Sequence, residues 1–499
     1  MAVTPPLRFQ NDCPTIFANS LALPVGRPAE PQHDRGAERP QHTELGIRGR
    51  SDMSEKENSS GGSAAHLLQV LTFWDLVVYG LVYVSPIGPW STWGFAGDLS
   101  GGIVALVYLL GAVALSFTAF SYAAMCAEVP DAGSVYAYAR FAMGDTIGFL
   151  AGWMVLLDYL LLPALMYVFC GVSLSLFIPV VPSWAWVLLI AAYCLGVNWF
   201  GVKTSARFNF ATLILQFLLL AIVLTAALVV MNRAGMPTFT ADAWWRPTAS
   251  LGGVFSGASL CVMAYLGFDA ITTLTAEVRK DQRHLVGRAV IFSILLLGAL
   301  AVLNAWILSD LSRGFKFAPD LTTAAFDLLG AKVGPNFGRF VTWASVLATA
   351  ISITPPMVSA VGRVLYSMAD KGAMPYFMAK LNPTYGIPRN AIAASGALSI
   401  AVALYFANQF DTLTSMVNFG ALLAFATVNA SVIALFIVQR KSTKYGVHLI
   451  LPLLGIVTIA AVITQMSRAG LAVGSAWLVA GVIVAVVLRS RGKTLAAAE

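Results

Sequence analysis

The chain has 499 residues, of which 58% are hydrophobic and only 11% charged, with a mean hydropathy of +0.76. A water-soluble domain of that balance would leave large apolar surface exposed, so the composition excludes a soluble enzyme or binding module and predicts an integral membrane protein. The net charge of +7 is spread over short loops at the ends of apolar blocks rather than gathered in a patch, which argues against nucleic acid as a partner.

Residues 1–63 are rich in Pro, Arg, Glu, Gln, Ser and Gly. Such a stretch buries too little apolar surface to offset the entropy of ordering, and predicts a disordered cytoplasmic tail. Leu21–Val25 is too short, and lacks the layout, for a cleaved leader; Met53 offers a second start. From Leu68 to Leu488 apolar runs of roughly 20 residues recur, each long enough to cross about 30 Å of hydrocarbon as a helix. They predict twelve spans near 69–97, 102–127, 145–176, 183–200, 206–231, 253–277, 287–310, 338–366, 389–407, 412–438, 447–466 and 470–488. Continuous apolar blocks without period-two alternation argue against a barrel.

The first span is interrupted at Ser85-Pro86-Ile87-Gly88-Pro89. Pro86 removes a donor, Gly88 relaxes the backbone, and Pro89 suits the first position of a new half-helix. Two readings stand open: a proline kink without a ligand, and a break whose freed backbone groups are met by a solute. Tyr79, Tyr83, Trp90 and Trp93 surround it, either as packing or as part of a cation–π box. Asp75, near the cytoplasmic end of this span, is expected as an end-of-helix or gate residue. Between the second and third spans, 130–140 reads as an amphipathic gating loop, as does Met368–Asn382 after the eighth. Asp158 lies inside the third span, either as a polar strut bonded to a neighbour such as Gln216 of the fifth span or as a proton or substrate site.

The sixth span carries the second interruption, Leu266-Gly267-Phe268-Asp269-Ala270, preceded by Tyr265. A charge at that depth costs about 2.5–3.5 kcal/mol on insertion scales, so Asp269 is a functional candidate by default. Gly267 permits a turn, and Asp269 is expected to cap the following half-helix, to contact substrate, or both. Broken segments at corresponding places in two halves are the best sequence pointer to a transporter's binding site. Carbonyl ends before each break attract an ammonium, and amide ends after each break attract a carboxylate.

The larger share of Lys and Arg falls on one side, including Arg279, Lys280, Arg283, Arg288, Arg363 and Lys371, which predicts cytoplasmic termini. The five cysteines are widely separated, and the histidines lie in tails or loops, so neither a disulfide framework, a zinc site nor an intramembrane histidine relay is expected. No cofactor is expected.

These residues resemble the amino acid–polyamine–organocation transporter superfamily, and within it the bacterial putrescine-importer branch. The resemblance rests on Gly80–Pro86, Pro130–Tyr138, Gly152-Trp153, Leu156–Leu160 with Leu162-Pro163, Leu266–Leu274, Arg363–Met368, and Asn418–Phe425 with Val428-Asn429, in that order and spacing. It implies an all-α membrane protein with twelve transmembrane helices: an inverted five-plus-five repeat, discontinuous first and sixth helices, and two added helices. The domain would run 64–491, with repeats at 69–231 and 253–438, the added helices at 447–488, and a cytoplasmic tail at 492–499.

The implied activity is import of putrescine or a related amine across the cytoplasmic membrane by alternating access, with Tyr83, Ser85, Pro86, Gly88, Asp158, Tyr265, Gly267, Phe268 and Asp269 at the substrate and Asp75, Asp158 and Gln216 in coupling or gating. In amino-acid members a glycine-serine-glycine stretch at the first break holds the substrate carboxylate. Val84–Pro89 has fewer free amides, which favours an amine without a carboxylate. The fifth-span lysine that some members link to proton movement is replaced by Gln216, so proton coupling and membrane potential both stay open as energy sources. Pro355-Pro356 and Ala276 depart from the branch and leave a different substrate open. The alternatives are an amino acid permease on the same scaffold and a substrate sensor. An enzyme is not expected, since no nucleophile, base or metal cluster accompanies the isolated acids.

Overall fold

The computed structural model describes residues 67–490 apart from 248, 317–320, 322, 408 and 467. The tail at 1–63, Met53 and the tail at 492–499 therefore lie outside the described residues. Among the described residues there are helices and turns but no strand, and one isolated bridge joins Leu71 to Val278.

The first apolar block splits into α1 (Phe73–Val84) and α2 (Pro89–Ser100), followed by α3 (Val104–Glu128), α4 (Val135–Met143), α5 (Asp145–Phe177), α6 (Ser183–Trp199) and α7 (Val202–Arg233). The sixth block splits into α8 (Leu251–Met263) and a 3₁₀ segment, Phe268–Glu277. Then come α9 (Val286–Leu311), α10 (Ala324–Lys332), α11 (Pro335–Ala348), α12 (Thr354–Asp370), α13 (Arg389–Tyr405), α14 (Phe410–Val432), α15 (Leu451–Thr464) and α16 (Arg468–Ser490). Nine helical stretches among the described residues are long and apolar enough to cross a membrane, and Phe73–Val84 and Ser183–Trp199 are shorter apolar helices. Residues Leu218, Ile222 and Val229 of α7 and Leu453 and Val457 of α15 are exposed, which suits a hydrocarbon solvent and no other.

Several local devices make breaks tolerable inside an apolar environment. Pro355 has no N–H to give the carbonyl of Ile351, and the Tyr193 hydroxyl fills that carbonyl at 3.0 Å. The carbonyls of Pro355 and Pro356 accept from Asn198 Nδ2 at 2.9 Å and Tyr79 Oη at 2.7 Å, which ties α12 to α6 and α1. The helix before α12 widens into a π turn at Thr349–Ile353, a usual response to an inserted residue. At the far end of the chain, Trp153 of α5 and Trp477 of α16 stack at 4.7 Å, and each indole N–H donates to the other residue's carbonyl at 2.9 and 3.0 Å.

Within the 130–140 stretch, expected as an amphipathic gating loop, a helix, α4, begins at Val135, with Val135, Tyr136, Tyr138 and Ala139 buried. The Met368–Asn382 stretch continues α12 to Asp370, then makes a short 3₁₀ turn at Tyr376–Ala379.

Candidate functional site

The first break is a tight turn. Ser85 ends α1 with φ +73°, a left-handed conformation that costs a non-glycine residue about 1–3 kcal/mol. Its amide donates to the Leu81 carbonyl at 2.9 Å, and the Gly88 amide donates to the Ser85 carbonyl at 3.0 Å. Pro86 and Pro89 have no amide to give. Ser85 Oγ donates to Gln216 Oε1 of α7 at 2.8 Å, so the strained residue is held by a buried side-chain bond. Tyr108 of α3 donates to the Pro89 carbonyl at 2.9 Å, and Tyr265 donates to the Tyr108 carbonyl at 2.9 Å. Tyr265 thus braces the half-helix after the first break, and its hydroxyl is spent on backbone rather than turned to Asp269.

The second break turns at Gly267, φ +105°, where a Cβ would run into the Tyr83 ring. Glycine is required there twice over, by backbone conformation and by the Tyr83 ring lying on it. After the turn the chain winds as a 3₁₀ segment in which Thr272, Thr273 and Thr275 return hydroxyl bonds to carbonyls three residues back, at 2.7, 2.7 and 2.6 Å. Threonine hydroxyls that bond the preceding turn compete with α-helical bonding, which accounts for the tighter winding.

Asp269 corrects the capping expectation. The residue at the start of this segment is Gly267, with no side-chain cap. The Asp269 carboxylate is fully buried and is reached by two hydroxyls from other helices: Tyr159 of α5 at 2.6 Å and Tyr122 of α3 at 3.3 Å, both donating to Oδ2. Its other oxygen, Oδ1, has no hydrogen-bond partner in the protein. Phe268 packs edge-on to Tyr122 at 5.8 Å and against Phe425 at 5.4 Å, so its ring belongs to an aromatic wall.

Asp158 is also buried, with Oδ1 unpartnered, and the expected strut to Gln216 is absent: Gln216 Oε1 serves Ser85 and its Nε2 has no partner. Asp158 directly precedes Tyr159 on α5. Tyr83 Oη is buried and unpartnered as well. The structure thus lays the Tyr83 ring against Gly267, two residues before Asp269, and ties Ser85 to Gln216. Asp75 sits apart at the start of α1, where its carboxylate accepts from the Thr72 amide and hydroxyl at 2.8 and 2.7 Å as a capping box.

Sequence reasoning passed over three features. Tyr122 and Tyr159 gave no signal beyond being aromatic in a span, although Tyr159 adjoins Asp158. Arg363, expected among the cytoplasmic loop cations, is buried in α12 and makes a bidentate pair with Glu277, its Nη2 3.2 Å from Oε2, while its Nη1 reaches Ser359 Oγ. Glu277 also offers its carbonyl to the amides of Val70 and Leu71 at 3.0 and 3.1 Å, and Arg279 returns its amide to Leu71 at 3.0 Å. The start of the first broken span is thus stitched to the end of the second. Among the described residues no group of three His, Cys, Asp or Glu stands ready for a metal ion.

Broken apolar helices at corresponding places in two halves are the pattern that points to a secondary transporter. Residues 71–488 match the amino acid permease family, and the chain belongs to it. It is 30% identical to the low-affinity putrescine importer PlaP of Escherichia coli K12, over 84% of this chain and 94% of that protein. It is 25% identical to the branched-chain amino acid permease BcaP of Bacillus subtilis, over 74% and 81% of the two chains. A vacuolar cationic amino acid transporter of Arabidopsis thaliana is 26% identical, over 74% and 63%. The expected superfamily is therefore confirmed, and the chain is a multi-pass membrane transporter.

Proposed function

We propose that the protein is a secondary transporter that imports putrescine or a related organic amine, with the ammonium bound at Asp269 Oδ1 between the two helix breaks. The observation that carries this reading is the carboxylate itself: Tyr159 and Tyr122 fix one oxygen, and the other is buried without a partner, as is the hydroxyl of Tyr83, whose ring lies on Gly267. Burying an anion without a compensating group is costly, and an organic cation supplies that compensation. The first break supports the same choice. Its two prolines and two engaged amides leave little to hold a carboxylate, and 30% identity to a putrescine importer agrees.

In this reading twelve helices cross the cytoplasmic membrane with both termini inside, the repeats at 69–231 and 253–438 are inverted copies, and the breaks in α1–α2 and α8–Glu277 mark the access point of an alternating cycle. Membrane potential alone favours entry of a cation by about 2.3 kcal/mol per charge per 100 mV, and a coupled proton would add to it. A second reading, a permease for amino acids, is favoured by the identity to BcaP and the cationic amino acid transporter.

The test is uptake of labelled putrescine into proteoliposomes, challenged with amino acids and their decarboxylated or esterified analogues. Competition by the amines that does not improve when a carboxylate is present supports the first reading. Inhibition that requires a free carboxylate supports the second.

A further inference from the structure

We propose that the junction of α1, the Lys280–Leu285 turn and the first turns of α9 is a binding site for an anionic phospholipid, its phosphate held by Arg283 and Arg288 and its acyl chain lying over Trp74, Phe292 and Leu295. The charges there are not used within the protein. Arg279 pairs with Asp281 at 3.2 Å, and Asp75 is taken up by its capping box, but among the described residues no carboxylate lies within ion-pair distance of Lys280, Arg283 or Arg288. Arg283 Nε is moreover buried without a partner.

Next to these cations lies apolar surface of the kind that faces lipid. Trp74 is 64% exposed and Phe292 42%, and with Phe73 they form a cluster of edge-on and tilted rings at 5.2, 6.1 and 6.4 Å. Arg288, Phe292 and Leu295 follow one another at four- and three-residue spacing, so they run down a single face of α9, from a cation to a ring to an aliphatic side chain 57% exposed. A soluble anion would use only the first of these. A phospholipid uses all three, since its phosphate, glycerol and acyl chain are stacked in that order, and tryptophan favours the depth of the headgroup.

The position gives the site a consequence. Phe73 donates its amide to Gln282 Oε1 at 2.8 Å, joining the foot of α1 to the turn that carries Arg283. A lipid seated there clamps the foot of α1, the half-helix that carries Tyr83 and ends at Ser85, to α9.

The experiment is lipid retention by the full-length protein, followed by native mass spectrometry and by thermal unfolding in detergent titrated with phosphatidylglycerol or phosphatidylcholine. Wild type should retain and be stabilised by phosphatidylglycerol over phosphatidylcholine. Arg283→Gln with Arg288→Gln should weaken that preference about fivefold for each charge removed. Trp74→Ala should lower retention of phosphatidylglycerol too, while a control pair, Lys441→Gln with Lys444→Gln, should keep it. Wild-type preference in the Arg283/Arg288 variant, undiminished retention in Trp74→Ala, equal loss in the control, or equal stabilisation by free glycerol phosphate would each overturn the proposal.

Discussion

The two breaks solve the same problem in opposite ways. At Ser85–Gly88 the polar groups released by unwinding are largely consumed inside the protein: Ser85 Oγ goes to Gln216, its carbonyl to Gly88, and the Pro89 carbonyl to Tyr108. At Gly267–Asp269 the protein brings tyrosines from two other helices to one carboxylate oxygen and leaves its twin unmatched. The first break is bonded within the protein at a residue of strained backbone, while the second leaves a buried carboxylate oxygen without a hydrogen-bond partner. The comparison teaches that a helix interruption is not by itself a binding site; the unsatisfied group that remains after local bonding decides.

Substitutions at the two breaks should therefore fail differently. The largest effect belongs to Asp269→Asn. Losing one partner of a buried charge pair costs about 2–5 kcal/mol, so putrescine uptake should fall by some thirtyfold to several thousandfold. Arg363→Gln comes next on stability, since it strands the buried Glu277 and should cost about 3–5 kcal/mol, read as a lowered Tm in detergent. Tyr159→Phe removes a short charged hydrogen bond worth about 1.5–3 kcal/mol and should weaken uptake more than Tyr122→Phe, whose bond is longer by 0.7 Å (3.3 against 2.6 Å). The smallest effect is expected at the first break: Ser85→Ala breaks one neutral bond to Gln216 and should lower stability by about 1 kcal/mol while uptake persists. Loss of uptake in Ser85→Ala as deep as in Asp269→Asn would erase the distinction between the breaks.

How much of this was legible beforehand follows from the physics of each signal. Apolar blocks announce helices because lipid leaves the backbone no other partner, and proline or glycine within a block announces a break. Both interruptions and the buried acids Asp158 and Asp269 could therefore be read from residue type alone. What completes the site could not. Tyr122 and Tyr159 are ordinary aromatics until α3 and α5 bring their hydroxyls to Asp269, and local rules offered a cap at Asp269 because they cannot see that tertiary competition. Arg363 read as a loop cation since its partner, Glu277, lies 86 residues away. The tight 3₁₀ winding of Phe268–Glu277 was written in its threonines, but only their bonded geometry makes it evident.

The central claim is that Asp269 supplies the negative charge that binds an ammonium. Equilibrium binding of labelled putrescine to purified wild type, Asp269→Asn and Asp269→Glu, each first shown to be folded by its Tm, addresses it without any assumption about coupling. The account predicts saturable binding in wild type, partial binding in Asp269→Glu and none measurable in Asp269→Asn; wild-type affinity in a folded Asp269→Asn protein would contradict it.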